Sequence, residues 1–254
     1  MCHTLKCVLG LPEQIHACLF DLDGVLTQTA KEHAAAWKQM FDDYLAARSK
    51  RTGQPFVAFD PVADYDAYID GKLRADGTRS FLESRNIHLP EGTENDPPSA
   101  ETIEGLSNRK NEILLDRLRT HGVQTYAGSV RYLTECGRAG LHRAVVSASA
   151  NTRQVLKAAD LTGQFEVIVD GIVAGRDHLK GKPAPDTYLA AARALKVQPG
   201  EAAVFEDALA GVEAGRAGKF GFVVGVNRVG QRDALQQHGA DIVVDDLSEL
   251  LDRT

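Results

Sequence analysis

Short apolar runs alternate with helical segments after residue 123, and this alternation limits the possible fold more than any other feature of the chain. A short apolar run bounded by polar residues is typical of a strand covered on both faces in a parallel sheet. Because strands joined by helices form right-handed crossovers, we expect an α/β fold with a doubly wound, mostly parallel sheet. The predicted strands lie at 141–146, 165–169, 202–205, 222–226 and 242–244, and the predicted helices at 129–137, 152–159, 185–195 and 209–217.

An earlier apolar run, at 15–20, belongs to the same set of strands. The sequence that follows it instead indicates helices and loops up to about residue 125. We therefore predict a core domain formed by residues 1–28 and 126–254, with an inserted α-helical cap domain formed by residues 29–125. The predicted cap helices lie at 29–44, 64–69, 78–84 and 107–121, and a proline-rich acidic loop lies at 86–99.

Composition and charge exclude several classes of function. The chain has 254 residues, 43% of them hydrophobic, and a formal net charge of −6 without a block of basic residues. This argues against a nucleic-acid or polybasic membrane surface and suits a small substrate. No apolar stretch approaches the roughly 20 residues needed to cross a bilayer, and residues 1–10 lack the apolar region of a signal peptide. We therefore expect a cytoplasmic protein, and a monomer.

The four cysteines do not suggest a metal or disulfide framework. Cys2, Cys7, Cys18 and Cys136 are scattered and form no CxxC pair. Cys18 lies inside the first predicted strand, where we expect a small buried apolar residue.

Two acidic residues and a glycine follow the first predicted strand. Asp21 and Asp23 are two residues apart, so their side chains point the same way if the backbone is extended. Gly24 allows a tight turn directly after them. Two carboxylates held this close favour a bound cation or a shared proton. The alternative is a strand followed by a solvated acidic turn.

Residues suited to phosphate or metal chemistry also follow other predicted strands. The carboxyl ends of parallel strands share one rim, where ligands bind, so these residues are expected to converge on one pocket. Each has a simpler alternative: the serines as helix N-caps, the lysine at the surface, and the acidic pair in a solvated turn. They are Ser147 and Ser149 after the strand at 141–146, Lys182 before the helix at 185–195, and Glu206 and Asp207 after the strand at 202–205.

Four motifs in this order resemble those of the haloacid dehalogenase superfamily of phosphotransferases, and the resemblance covers essentially the whole chain. The first motif, DxDxV(T), is matched by residues 21–27. The strand-end serine or threonine is matched by Ser147, the lysine by Lys182, and the acidic pair by Glu206 and Asp207. The helical insertion resembles the branch that contains β-phosphoglucomutase. The resemblance implies a Rossmann-like core with an inserted helical cap.

The resemblance also implies a role for each motif residue. Asp21 would attack phosphorus and form an aspartyl-phosphate, and Asp23 would act as general acid and base. Ser147 and Lys182 would hold the phosphoryl oxygens. One Mg²⁺ ion per site is expected, with Asp21, Glu206, Asp207 and the backbone carbonyl of Asp23 as ligands.

Four segments resemble substrate-binding segments of the β-phosphoglucomutase branch. The helix at 29–44 resembles one that faces the sugar, the turn at 70–74 a loop that holds the distal phosphate, and 108–111 a segment whose lysine faces the site. Residues 147–151 resemble a platform that helps to bind the distal phosphate. The alternatives are core packing for the tryptophan and solvated positions for the histidine, arginine and cap lysine. The residues implied in substrate binding are Thr29, His33, Trp37, Gly71, Lys72, Arg74, Lys110, Ser147, Ser149 and Asn151.

The chain departs from the pattern of this branch at two positions. Ala150 stands where the platform commonly has lysine, which removes a positive charge from the distal-phosphate site. Gln28 stands where members often carry aspartate before the linker threonine. Arg74, with Lys72 or Arg79, is expected to compensate for the missing cation.

The predicted cap also has longer loops than a minimal helical cap requires. These loops, at 48–59 and 88–99, would suit a different or larger sugar.

Three hypotheses follow for the function. The first is a Mg²⁺-dependent phosphoglucomutase-like isomerase that interconverts the 1-phosphate and 6-phosphate of a small sugar through a bisphosphate. The second is a sugar-phosphate phosphatase, a hydrolase in which water discharges the same aspartyl-phosphate. The third is a non-catalytic binding module. The joint presence of Asp21, Asp23, Lys182, Glu206 and Asp207 argues against it.

Overall fold

The computed structural model describes residues 9–251 of the chain. The expectations for Cys2 and Cys7, and those for residues 1–8 of the N-terminal segment, lie outside the described residues. Within 9–251, no helix is long and apolar enough to span a membrane.

Six parallel strands form one sheet, in the order β3-β2-β1-β4-β5-β6. β1 is central, and Phe20 at its end is in register with Val145 on one side and Phe205 on the other. The fold class predicted from the sequence is confirmed. The strands are β1 Ala17–Phe20, β2 His142–Val146, β3 Val167–Val169, β4 Ala202–Glu206, β5 Phe222–Val226 and β6 Ile242–Val244.

The strand order reverses beside β1. From β1 the chain continues to β2 and β3 on one side, and then crosses to β4, β5 and β6 on the other. Open α/β sheets bind ligands at the carboxyl ends of strands where the order reverses. The ends of β1 and β4 meet at this point, and Glu206 is the last residue of β4.

Six α-helices connect the strands after residue 123 in the described part of the chain. The prediction missed two of them, α7 and α10, because each has only six residues and too few apolar positions to show helical periodicity. Asp170 caps α7 by accepting a hydrogen bond from the Val173 N–H at 2.9 Å. The helices are α5 Ala127–Arg138, α6 Thr152–Ala158, α7 Gly171–Arg176, α8 Asp186–Leu195, α9 Leu209–Ala217 and α10 Arg232–Gln237.

Three of the four helices between β1 and α5 are longer than predicted, and α2 has the predicted length with its bounds shifted by one residue. α1 continues to Thr52 because residues 45–52 are mostly good helix formers, and it ends where Gly53 takes a left-handed conformation with φ 72°. α4 begins before the predicted residue 107, because Thr102 caps it by accepting a hydrogen bond from the Gly105 N–H at 2.9 Å. The helices are α1 Ala30–Thr52, α2 Ala63–Tyr68, α3 Arg74–Ser84 and α4 Ile103–His121.

The chain divides into two compact units. The first comprises the described residues up to Gln28, Gly71–Leu73 and the residues from Val123 on, and the second comprises Thr29–Asp70 and Arg74–Gly122. The core of the first unit packs α8 against the sheet, with Leu19, Val146, Tyr188, Ala191 and Val204 among its members. The core of the second is rich in aromatic residues and includes Trp37, Phe41, Phe59 and Phe81. The assignment of residues 29–125 as a cap domain stays a prediction.

Candidate active site

Asp21 is the first residue after β1 and lies at the reversal point of the sheet. Its N–H donates to the Phe205 carbonyl at 2.9 Å, so the backbone stays attached to β4 beyond the end of the strand. The residue is 7% exposed. Burial raises the pKa of Asp21, and Glu206 and Asp23 act in the same direction, while Lys182 opposes them. An ionised Asp21 therefore depends on nearby positive charge.

A tight turn follows Asp21 and carries Asp23. The Gly24 N–H donates to the Thr27 carbonyl at 2.7 Å, and the Thr27 N–H donates to the Leu22 carbonyl at 2.9 Å. Gly24 has φ +96°, and a Cβ there would overlap the carboxylate of Asp207. The glycine therefore permits both the turn and the close approach of Asp207.

Lys182 is buried between two carboxylates. Its Nζ donates to Asp21 Oδ1 at 2.6 Å and to Glu206 Oε1, and it lies 5.0 Å from the centre of the Tyr188 ring. Burial favours the neutral amine, but Asp21 and Glu206 outweigh burial and raise the pKa of Lys182. Since Lys182 is only 4% exposed, the alternative of a surface lysine is wrong.

The Glu206 carboxylate accepts hydrogen bonds from one side chain and one backbone N–H besides the lysine ammonium. The Tyr188 hydroxyl donates to Glu206 Oε1 at 2.8 Å, and the Ala208 N–H donates to Oε2 at 3.2 Å. A Cβ on Gly211 would overlap the same carboxylate. Glu206 is fully buried, so the alternative of a solvated acidic turn is wrong for this residue.

Three carboxylates form a cluster that could hold a cation. The oxygens of Asp21, Glu206 and Asp207 lie within 4.8 Å of one another. Carboxylate oxygens are hard ligands of the kind that Mg²⁺ and Ca²⁺ take. The expected contribution of the Asp23 backbone carbonyl stays a prediction.

The loop after β2 brings Ser147 to the general acid/base candidate. Ser147 Oγ donates to Asp23 Oδ2 at 3.3 Å and accepts a hydrogen bond from the Ser149 N–H at 3.1 Å. Ser149 Oγ accepts in turn from the Asn151 N–H at 3.2 Å. Asn151 occupies the N-cap position of α6 without a side-chain capping bond. The hydroxyls therefore order this loop locally, and a role in binding phosphate stays a prediction.

Gly71 groups with the first unit rather than with the helices around it. Its φ is +72°, and a Cβ there would lie 3.2 Å from Ala210 Cβ and 3.6 Å from Lys182 Cβ. The turn that contains Gly71 and Lys72 therefore lies beside the loop that carries Lys182.

Three of the predicted substrate-binding residues form a cluster in the second unit. Lys110 Nζ lies 3.2 Å from His33 Nδ1 and 4.8 Å from the centre of the Trp37 ring. The Trp37 ring also stacks on the Phe41 ring, with the ring centres 5.4 Å apart. This contact agrees with the alternative that Trp37 packs in a core. Lys110 is buried, so the alternative of a solvated lysine is wrong for it.

Two further residues that are predicted to bind substrate lie where helices begin. Thr29 is buried at the N-cap position of α1. Arg74 begins α3, where burial lowers its pKa and Glu104 opposes this effect. Arg79, which was expected to help compensate for Ala150, is bound instead to Asp76 at 2.7 Å and to Glu91 at 2.7 Å. The roles of Thr29 and Arg74 in binding substrate stay predictions.

Two residues that contact the site carry no signal in the sequence, Tyr188 and Arg228. Tyr188 occupies an apolar position of α8, so its pattern indicated core packing only. Arg228 donates to the Gly24 carbonyl at 2.7 Å across 204 residues of chain, and no local motif marks it.

Cys18 is buried within β1, as expected from its position. Cys18 and Cys136 are both free and buried, with their sulfurs 3.7 Å apart. Burial raises the pKa of the Cys18 thiol, as does the hydrogen bond with Cys136. Both are suited to packing rather than to reaction.

Comparisons with known proteins agree with the architecture. The family model of the haloacid dehalogenase-like hydrolases matches residues 15–219. The chain is 58% identical over 247 residues to a β-phosphoglucomutase of Mycobacterium bovis, covering 96% of this chain and 94% of the relative. It is 32% identical over 237 residues to the β-phosphoglucomutase of Bacillus subtilis, covering 92% and 91%.

A solved structure gives the same result. The β-phosphoglucomutase of Clostridium difficile superposes with a TM-score of 0.72 at 26% identity, covering 93% of each chain. The resemblance drawn from the four motifs is confirmed, and this chain belongs to the haloacid dehalogenase-like hydrolase family.

Proposed function

We infer that the protein is a phosphotransferase of the β-phosphoglucomutase type, which interconverts the 1-phosphate and 6-phosphate of β-glucose or a related sugar. The observation that carries this proposal is the site at the end of β1. There Lys182 donates hydrogen bonds to both Asp21 and Glu206, and Ser147 donates one to Asp23. The high identity to a β-phosphoglucomutase over nearly the full length of both chains supports the same substrate class.

The carboxylate cluster fits a small divalent cation. Asp21, Glu206 and Asp207 provide three acidic groups, whereas Lys182 provides a single ammonium that contacts two of them. We propose that these three carboxylates and the backbone carbonyl of Asp23 hold one Mg²⁺ ion. The ion would offset negative charge on the phosphoryl oxygens.

Asp21 is the proposed nucleophile. One of its carboxylate oxygens attacks phosphorus, an aspartyl-phosphate bond forms, and the bond between phosphorus and the sugar oxygen breaks. Asp23 gives its proton to the departing oxygen, and it later removes the proton of the hydroxyl that attacks the aspartyl-phosphate. Lys182 stays charged beside the reacting carboxylate, and Ser147 is placed to donate to a phosphoryl oxygen.

We propose that the remaining residues hold the sugar and its second phosphate. Arg74 and Lys110 supply positive charge, and the ring of Trp37 supplies an apolar face. The hydroxyls and amides of the loop after β2 supply neutral hydrogen bonds to phosphate. The set comprises Thr29, His33, Trp37, Gly71, Lys72, Arg74, Lys110, Ser147, Ser149 and Asn151. The cytoplasmic location and the monomeric state expected from the sequence stay predictions.

The second candidate is a sugar-phosphate phosphatase with the same nucleophile. The observation that favours it is Ala150, since a neutral residue there weakens the hold on a second phosphate. Arg79 is engaged by two carboxylates and so offers little compensation. Water would then discharge the aspartyl-phosphate.

The test is ³¹P NMR of the purified protein with Mg²⁺ and β-glucose 1-phosphate, with and without the 1,6-bisphosphate as primer. We expect glucose 6-phosphate to form, and the primer to shorten any lag. Asp21→Asn should abolish turnover because an amide cannot form the phosphoenzyme, while Asp177→Asn, which changes an exposed acid, should leave it unchanged. Inorganic phosphate as the sole product would reject the mutase in favour of the phosphatase. Turnover by Asp21→Asn would reject the nucleophile.

A further inference from the structure

The turn after β5, at residues 227–231, contacts the loop that carries the general acid/base candidate. We propose that Arg228, within this turn, is a positioning residue that sets the orientation of Asp23. The proposal rests on the proposed function, in which Asp23 moves the proton to and from the sugar oxygen.

The guanidinium of Arg228 holds the backbone directly after Asp23. Nε donates to the Gly24 carbonyl at 2.7 Å and Nη2 to the Val25 carbonyl at 3.3 Å. Nη1 donates to the Asp245 carbonyl at 2.8 Å, at the end of β6. The guanidinium carbon lies 3.5 Å from the centre of the Tyr126 ring. One planar group thus binds three carbonyls and stacks on an aromatic face, a set of contacts that suits arginine and not lysine.

These contacts fix two successive peptide planes of the turn that presents Asp23. The same turn is closed by the Gly24 N–H to the Thr27 carbonyl and by the Thr27 N–H to the Leu22 carbonyl. Gly24 has no Cβ and has unusual backbone freedom, so without an external hold it is the residue about which the turn would move. Arg228 supplies this hold by binding the carbonyl of Gly24, the residue directly after Asp23.

The turn that carries Arg228 is itself well anchored. The Asn227 N–H donates to the Val244 carbonyl at 2.8 Å, and its side-chain oxygen accepts from the Gln231 N–H at 2.8 Å. Gln231 Nε2 donates to the Asp207 carbonyl at 2.8 Å, in the second acidic loop. The same turn therefore contacts the loop that carries Asp23 and the loop that carries the proposed metal ligand Asp207, and it can hold these two loops in a fixed relation.

The test compares Arg228→Ala and Arg228→Lys with Arg232→Ala. Arg232 is a matched control because it bonds to Asp245 at 2.8 Å and to the Val243 carbonyl at 2.5 Å, close to the partner of Arg228 but away from the catalytic loops. Two phosphoryl donors are used: β-glucose 1-phosphate, whose leaving oxygen needs a proton, and acetyl phosphate, whose acetate leaves without one. Rapid-quench mass spectrometry measures phosphorylation of Asp21 by each donor.

We expect Arg228→Ala to slow phosphorylation by the sugar phosphate about 10- to 100-fold, because a small displacement of an acid/base group costs rate on this scale. Phosphorylation by acetyl phosphate should change much less. Arg228→Lys should fall between the alanine variant and wild type, and Arg232→Ala should match wild type with both donors. Equal losses with the two donors, or equal losses in Arg228→Ala and Arg232→Ala, would overturn the proposal.

Amide hydrogen exchange gives a readout that does not depend on activity. Arg228→Ala should speed exchange at Gly24 and Thr27, whose N–H groups close the turn, while Arg232→Ala should not. Unchanged exchange in Arg228→Ala would also overturn the proposal. A wild-type protein that does not use the sugar phosphate would reject the proposed function alone, because the exchange comparison still decides whether Arg228 holds the turn.

Discussion

Two glycines of the site lie where a side chain would collide with an acidic group. A Cβ on Gly24 would overlap the carboxylate of Asp207, and one on Gly211 would overlap that of Glu206. The missing side chains let these carboxylates pack directly against backbone, so that both can approach Asp21. The site therefore depends on these two glycines as well as on its reactive residues.

We predict that Gly24→Ala disables the site without unfolding the protein. Alanine there must take φ +96° and must also displace Asp207, so Mg²⁺ affinity should fall about 10- to 100-fold, as for altered supporting residues of other metal sites. Isothermal titration calorimetry with Mg²⁺ measures the affinity. Gly140→Ala is the control, because Gly140 has φ +73° but no atom within 4 Å of its Cβ position. It should cost about 1–2 kcal/mol of backbone strain and leave Mg²⁺ binding unchanged. Normal Mg²⁺ affinity in Gly24→Ala would contradict the prediction.

At the residue scale, the sequence predicts the motif residues of the site. It does not predict the residues that hold them in place. Asp21, Lys182 and Glu206 converge as expected, because parallel strands end on one rim and their positions relative to the strands were readable. Tyr188 and Arg228 act through contacts with residues distant in sequence. Neither the helical periodicity nor a local motif predicts those contacts.

Among elements, α1 and α4 of the second unit are joined by a cluster of charged side chains. Glu32 on α1 accepts from Arg117 Nε at 2.9 Å and lies 3.0 Å from His121 Nδ1, both on α4. Burial acts to raise the pKa of Glu32, but the bonds and charges of His121 and Arg117 outweigh burial and lower it. The paired carboxylate therefore stabilises the folded state when it is ionised.

We predict that Glu32→Gln destabilises the second unit by about 1–2 kcal/mol at neutral pH, the scale of a charged hydrogen bond. Because the folded pKa is below the ordinary value, the difference between wild type and variant should be constant above about pH 5 and shrink as the pH falls through about 4 and below. Urea unfolding at several pH values measures this. Glu112→Gln, at an exposed position of α4, should show neither effect. A gap between Glu32→Gln and wild type that persists unchanged at pH 3 would contradict the assignment.

Aromatic packing predicts a larger effect at the centre of the same unit. Phe41 is fully buried and has its ring 5.4 Å from Trp37, 5.3 Å from Phe59 and 4.1 Å from Phe81. Phe41→Ala should lower the free energy of unfolding by about 3–5 kcal/mol through lost burial and a cavity. Trp37 is the single tryptophan of the chain, so its fluorescence reports on this unit alone. Phe56→Ala is the control, since Phe56 is 47% exposed, and it should stay within about 0.5 kcal/mol of wild type. Similar losses in both variants would contradict this account of the core.

Prediction succeeded for elements with a clear apolar pattern and failed where that pattern was missing. α9 lies at the predicted 209–217, and β5 and β6 also match their predicted bounds. The six-residue helices α7 and α10 were not predicted, because six residues are too few to show the helical repeat of 3.6 residues. The C-terminal third of α1 was not predicted because no large apolar residue follows Leu45 in the helix, so no apolar stripe marks its end at Gly53.

At the scale of the whole molecule, the groups proposed to react lie in one unit, whereas the residues proposed to bind substrate lie in both units. The first unit carries every group proposed to react, at the one place where the strand order reverses. The chain leaves it after Gln28 and returns for good at Val123, so β1 pairs only with strands that follow the insertion. The sheet of the first unit therefore forms only when the segment after Val123 has folded onto β1, whereas the second unit has an aromatic core of its own.

The most direct test of the central claim follows turnover of β-glucose 1-phosphate in H₂¹⁸O by ³¹P NMR, since ¹⁸O bound to phosphorus shifts its signal. A mutase transfers the phosphoryl group from Asp21 to a sugar hydroxyl, so we predict glucose 6-phosphate without ¹⁸O as the main product. Inorganic phosphate with one ¹⁸O atom as the main product would contradict the account, because it would show that water and not sugar discharges Asp21.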